Sequence, residues 1–515
     1  MSELTAESTT TADVDVFVDT VRQGRGSGPF VCPHIVDGQE IRDGRRITRE
    51  DPSFPSRIVS ETFEASKDLV DRAIASARRA QREWAKVDVL ERAARLRRGA
   101  ELLTPERKAH IAGVIALETG KTRSTCLLEV EEFLQFFVVY PDYTTPEFFV
   151  EKLAPQEGPV RSSSLLRPYG VFGVIVPFNF PAALAAQGAV AALLAGNGVV
   201  IKSPHLGPRT TYEFVRLLLE LDLPQGLVNL VHGADDAGRA LVAGDIDGIN
   251  FTGSAKTGLS IVSALQSGPY PRPVIAEMGG KNPVIVTDAA NLEDAVRGIT
   301  FSAFDLAGQK CSACSRVLAT PGIYDDLVEA LGVSVDTLLF AEPLEDAAYA
   351  GPLIAPRSVE HFNQVVAEAQ SVGRIVSSGK CSDGEGYFVP PTLAADIPLG
   401  HDLARTEHFV PFVSVTKVDN FDQAITEANA LDYGLTAGIF TGDQNEAQRF
   451  LDEIEAGSVN VNNPKHATTG FWPGTGTFGG WKSSGSTGKQ GYGRWYVQQF
   501  AREQCRNMSA TFELR

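Results

Sequence analysis

Four short apolar runs, VFGVIV (171–176), GVVIK (198–202), GLVNLV (226–231) and GINFTG (248–253), are each followed by an amphipathic stretch. This alternation constrains the fold more than any other feature of the chain. Strand and helix in alternation imply a parallel sheet, because parallel neighbours need a crossover that is usually helical and that covers a sheet face. Ligands of such sheets bind beyond the carboxyl ends of the strands. Three of the runs lead to polar residues there: Asn179 just after the first, Lys202 and Ser254. A second alternating region runs from about 277 to 480.

Flanking segments read differently. Residues 1 to about 28 are polar and rich in Thr, Ser and Asp, which predicts a loosely ordered arm or one that wraps a neighbour. From Ser66 the pattern turns helical, with Leu69, Ala73, Ala77, Ala80 and Trp84 at steps of three and four and Ser66 placed as N-cap. Between about 144 and 168, Pro, Gly and Ser break the pattern into a hairpin or connector. The last thirty residues look extended and would suit a strand at a subunit interface.

With 515 residues, 43% of them hydrophobic and 22% charged, the chain is long enough for two or three domains with a large core. No run approaches the ~18 consecutive apolar residues of a membrane span. The N-terminus lacks the basic flank and apolar segment of a secretory signal, so a soluble cytoplasmic protein is expected. Six scattered cysteines form no disulfide framework and read as free thiols. A net charge of −17 argues against nucleic acid or a membrane surface as partner. The basic cluster Arg92, Arg95, Arg97 and Arg98 reads as a solvated helix face.

The chemistry centres on GQKCSACSR (308–316), read as the place where one helix ends and another begins. Helix-start N–H groups and the neighbouring Lys310 would favour the Cys311 thiolate, the form that attacks carbonyl carbon. Cys311 and Cys314 also make a CxxC, open to a redox or half-zinc reading; the remaining cysteines are isolated, and no metal site is expected. Cys314, read as one helical turn further on, is a packed thiol.

Four further segments bear on that cysteine. In VPFNFP (176–181), the Asn179 amide can donate to an oxyanion, although Asn is also a common turn residue. In EMGGKNP (277–283), Glu277 precedes two glycines that permit a tight backbone path and reads as a general base or a salt-bridged carboxylate. FTGSAKTG (251–258) places Gly253, Ser254 and Gly258 at a helix start that could receive a pyrophosphate; a plain tight turn explains it as well. In TEHFVPF (406–412), Glu407 could hold ribose hydroxyls while Phe409 packs on a nicotinamide; otherwise the run is an edge strand before a proline.

In this order and at these separations, the segments resemble the aldehyde dehydrogenase superfamily, over nearly the whole chain from about residue 35. GQKCSACSR, RPVIAEMGGKNPVIV (272–286), PFNF and GEGYFVPPT (384–392) look most like 1-pyrroline-5-carboxylate dehydrogenases. The resemblance implies an α/β fold with a Rossmann-type NAD(P)-binding domain (1–143 and 169–276), a second α/β catalytic domain (277–480) and an oligomerisation hairpin or bridging element (144–168 and 481–515). It implies Cys311 as nucleophile, Asn179 as oxyanion donor, Glu277 as base and Lys202 on the adenosine ribose. Val176, Pro177, Phe178, Ser203, His205, Gly253, Ser254, Gly258, Glu407 and Phe409 would line the cofactor. Phe180, Ser312 and a loop from Gly470 to Phe478 would hold the substrate.

The resemblance also implies an aldehyde substrate, glutamate semialdehyde, with NAD as cofactor and a homodimer or homotetramer. Two residues depart from the pattern. Phe471, followed by Trp472, stands where a small residue is usual, which keeps open a dehydrogenase for an apolar or aromatic aldehyde; a CoA-acylating relative is a further alternative. His205 stands where many NAD-preferring relatives have a glutamate, which leaves NADP possible.

Overall fold

The computed structural model describes residues 11–152, 160–509 and 511. Its first large sheet runs in the order Val274–Met278, Gly248–Gly253, Val171–Ile175, Gly198–Lys202, Val228–Val231, His34–Val36 and Gln39–Ile41. The first five strands are mutually parallel, and the last two are added antiparallel. Val171–Ile175 and Gly198–Lys202 are buried at every position, as strands covered on both faces must be. Helix Ala183–Leu194 is buried at every position except Leu184, since its alanines let it lie close against its neighbours.

A second sheet runs Arg374–Ser378, Thr392–Ala395, Phe412–Lys417, Cys314–Ala319, Asn282–Val286, Thr436–Phe440 and Ser458–Val461, parallel except for the first strand. Only Gly279, Gly280 and Lys281 separate the edge strand of the first sheet from the Asn282–Val286 strand of the second. The carboxyl end of one sheet is therefore joined directly to the amino end of the other. This is an α/β fold of two parallel-sheet units.

The third element is a three-stranded sheet in which Ala501–Ser509 pairs antiparallel with Val160–Pro168, from Ala501 opposite Pro168 to Ser509 opposite Val160. Val150–Lys152 completes it, so the hairpin and the C-terminal strand meet within one chain.

Helix Lys67–Trp84 begins as its spacing predicts, with Ser66 Oγ accepting from the Leu69 N–H and all five predicted apolar positions buried. Two expectations need correction. Thr11–Gly26 is a helix, not a loose arm: Phe17 and Val21 are buried, and Gly113 of helix Pro105–Thr119 lets Thr20 approach where a Cβ would come within 2.7 Å of it. Polar composition masked that short apolar stripe. Residues 1–10 lie outside the described residues. Likewise Arg92 is not a solvated residue, because it is buried and donates to the carbonyls of Leu194 and Val87.

Candidate active site

Cys311 lies on a short loop between a 3-10 turn, Asp305–Gly308, and the strand Cys314–Ala319. No helix begins there, which corrects the expectation that helix-start N–H groups would acidify the thiol. Lys310 is spent on Asp305, and Cys314 opens a strand instead of following one helical turn on. Burial, then the charges of Glu407 and Glu277, push the Cys311 thiol up to about 12; the backbone N–H groups of Ser312 and Cys311 pull the other way. The resting group is a neutral thiol that needs a base.

The loop is fixed from several sides. Leu306 and Ala307 are held in left-handed backbone with φ of 55° and 52°, a conformation that costs about 1 kcal/mol or more per non-glycine residue. Gln309, buried, accepts from the Ile354 N–H at 2.9 Å. The Asn282 amide donates to the carbonyls of Cys311 at 2.7 Å and Ala313 at 2.9 Å. Asn179 Nδ2 donates to the Gln309 carbonyl at 3.0 Å, leaving its second amide hydrogen for another acceptor.

Glu277 is the penultimate residue of the first sheet's edge strand, opposite Thr252. Its Oε2 accepts from the Gly480 N–H at 3.2 Å, and burial pushes its carboxyl up to about 8. Such a group takes up a proton near neutral pH. The structure thus brings Cys311, Glu277 and Asn179 to one place. The site uses the carboxyl ends of the first sheet together with the amino ends of the second, whereas the rule applied to the sequence foresaw only the former.

Around the first sheet's carboxyl edge stand Val176, Pro177, Phe178, Lys202, Gly253 and Ser254, since Val171–Ile175, Gly198–Lys202 and Gly248–Gly253 are adjacent strands in register. Lys202 is buried with one long bond, 3.4 Å, to the Gly233 carbonyl; burial lowers its amine to about 8 against the opposing pull of Asp235 and Glu64. Ser254 is the exposed N-cap of helix Ala255–Gln266, and a Cβ on Gly258 would come within 2.3 Å of Met278 Sδ. Ser203 is buried with its Oγ 2.7 Å from His232 Nδ1, so it faces inward and does not present a hydroxyl to a cofactor phosphate. His205 is half-buried and held neutral by burial, Lys202 and Arg357.

From the second sheet come Glu407 and Phe409. A Cβ on Gly279 would lie 2.0 Å from Glu407 Oε2, so only glycine permits this approach, and the Gly280 N–H donates to Oε1 at 3.2 Å. Phe409, in left-handed backbone, packs edge-on against Phe178 with centroids 6.0 Å apart.

On the other side of Cys311, Thr468 Oγ1 donates to the Ser312 carbonyl at 2.7 Å and anchors the loop that begins at Gly470. Phe471 packs on Phe478 (5.7 Å between centroids), and Phe478 stacks on Tyr492 (5.6 Å). Phe180 receives the Lys121 ammonium over its ring at 3.8 Å.

Sequence reasoning missed Asn282, Tyr492 and Glu132. Tyr492 donates to Glu132 at 2.6 Å, and burial pushes that carboxyl up to about 7. Asn282 was visible in EMGGKNP; the pairing of Glu132 with Tyr492, 360 positions apart, had no local signal.

The model of the aldehyde dehydrogenase family matches residues 40–505. A 1-pyrroline-5-carboxylate dehydrogenase of Bacillus subtilis is 33% identical over 466 residues, 89% of each chain. The crystal structure of a Thermus 1-pyrroline-5-carboxylate dehydrogenase with bound NAD superposes with a TM-score of 0.91 at 27% identity, covering 98% of this chain and 97% of that one. Proline utilization A of Bdellovibrio bacteriovorus gives 0.92 at 29% identity, covering 97% of this chain and 52% of that longer one. A thiol, a carboxylate and an amide converging where two parallel sheets meet, in a chain matched nearly end to end, place this protein in the aldehyde dehydrogenase family, with 1-pyrroline-5-carboxylate dehydrogenases among its similar relatives.

Proposed function

We propose that this chain oxidises glutamate semialdehyde to glutamate, with NAD as hydride acceptor, through a thioester on Cys311. The observation that carries the chemistry is the convergence of Cys311, Glu277 and Asn179, with Ser312 and its anchored loop on the substrate side. Relatives named for 1-pyrroline-5-carboxylate support the substrate.

The residues at the sheet edge fit a dinucleotide. Lys202 is a buried cation with a single long bond, and the Glu407 carboxylate accepts from one N–H and keeps further lone pairs for hydroxyls. When bound, NAD supplies the hydride acceptor. Asp235 and Glu64 beside Lys202, with Ser203 turned inward, favour NAD over a cofactor carrying a 2′-phosphate.

In this reading Glu277 takes the Cys311 proton as sulfur bonds to the aldehyde carbon. The second Asn179 amide hydrogen and the Cys311 N–H receive the oxyanion. After hydride leaves the carbon a thioester remains; Glu277, its proton released, then takes one from water, which attacks the thioester and frees the acid and the thiol. A base so placed opposes the CoA-acylating alternative. The paired rings of Phe471 and Phe478 favour a second reading, an apolar or aromatic aldehyde.

Comparing kcat/KM for glutamate semialdehyde, phenylacetaldehyde and hexanal decides between them. If an uncharged aldehyde is preferred by about tenfold or more, a difference of about 1.4 kcal/mol in transition-state binding, the carboxylate substrate is wrong.

The reading includes a cytoplasmic homodimer or homotetramer. Ala501–Ser509 stands at the edge of its sheet, a row of backbone groups suited to a partner, and light scattering measures the assembly.

A further inference from the structure

Lys281 is among the largest fully buried side chains, and its Nζ has no hydrogen-bond partner within the protein. It lines a cavity of about 10 Å³ together with Cys314, Ser315, Glu407 and His408. Ser315 Oγ and both ring nitrogens of His408 are likewise buried without a protein partner. A cavity of this size holds about one water molecule, and polar groups around it are what such a molecule needs. A buried ammonium with no direct partner is costly, so its retention calls for a reason.

The charges around it supply one. Arg316 is beside it, but every donor of that guanidinium that the structure pairs goes to a carbonyl: Lys281, Glu427 and Ala428. Arg316 therefore repels the Lys281 charge. The carboxylate facing Lys281 is Glu407, with the neutral Cys314 thiol and His408 as its other titratable neighbours. Glu407 in turn faces Cys311 and Tyr433. Burial pushes the Glu407 carboxyl up to about 7, opposed by the Gly280 N–H and by Lys281, while burial and Arg316 lower the Lys281 amine to about 7. Burial disfavours the charge on each group, and each group's charge favours the other's.

We propose that Lys281 is a positioning residue that acts through Glu407: its buried ammonium keeps that carboxylate ionised, and so able to accept two hydroxyl hydrogen bonds from a bound dinucleotide. The inference rests on the cofactor role assigned to Glu407 above. Only an ionised carboxylate is an acceptor at both oxygens; the protonated acid would spend one oxygen as a donor.

The test is NAD affinity, followed by tryptophan fluorescence between pH 6 and 9, for the native chain, K281M, K281Q, E407Q and the two double variants. K281M and K281Q should each weaken NAD binding several-fold near pH 7.5 and move the pH at which affinity is half gained upward by about one unit, the usual reach of a lost opposite charge. In the E407Q background neither should have a further effect, the signature of action through one partner. K281Q keeps a polar end for the cavity and answers the question should K281M not fold. Losses that add in the double variants, or an unmoved pH profile, overturn the proposal. E407Q binding NAD as the native chain does overturns instead the cofactor role of Glu407.

Discussion

The side-chain amide of Asn179 donates to the carbonyl of Gln309 at 3.0 Å, tying the end of a first-sheet strand to the loop that carries Cys311 before the second sheet. One hydrogen bond thus ties the proposed oxyanion donor to the loop of the proposed nucleophile. Asn179→Ala should lower kcat by roughly 10²–10³, the loss seen when one oxyanion donor is removed, with NAD affinity little changed. Steady-state rates and cofactor titration check this.

Cys311→Ala should reduce aldehyde oxidation by about 10³ or more while preserving folding and NAD binding, because its proposed role is covalent. Cys314→Ala leaves a small gap in the second core and should cost about 1 kcal/mol of stability with modest loss of rate. An active Cys311 variant beside a dead Cys314 variant would reverse the assignment.

Glu277 must lose its proton to act as base, and burial has raised it to about 8. kcat/KM should climb about tenfold per pH unit below that value and level off above it. Glu277→Gln should retain a hydride-transfer burst and accumulate thioester, which rapid mixing detects. Stability runs the opposite way. The raised group holds a proton in the folded chain that the unfolded chain releases above about 4.5, so stability falls as pH rises from there through about 8. Glu277→Gln removes that slope, and its melting temperature should exceed the native value at pH 9 but not at pH 4.

Asn282→Ala strips a donor from the Cys311 and Ala313 carbonyls and the acceptor of the Thr436 N–H. Leaving buried partners unsatisfied should cost about 2–3 kcal/mol in urea unfolding, and the loosened loop should lower kcat more than it raises the KM for aldehyde.

His205→Glu places a carboxylate beside Lys202 and Arg357, and in the proposed reading this faces the 2′-phosphate of NADP. kcat/KM with NADP should fall about tenfold by like-charge repulsion, while that with NAD stays within about twofold. Equal loss with both cofactors would mean that His205 does not face the adenosine ribose.

What the sequence determined is what local pattern encodes. Alternation of apolar runs and amphipathic stretches specified parallel α/β units, and Ser66 with its apolar steps specified a capped helix, because burial at fixed periodicity is written in neighbouring residues. Short motifs likewise marked Cys311, Glu277, Asn179 and Glu407 as chemistry-bearing positions. Tertiary structure alone decided their electrostatics. The Cys311 run looked like a helix start with a helpful Lys310, yet the loop enters a strand, Lys310 turns to Asp305, and the thiol is raised. Ser203 faces His232, Arg92 is buried, and Tyr492 reaches Glu132 across the chain. Burial and charge at a point depend on every segment that folds around it, and no stretch of sequence contains that sum.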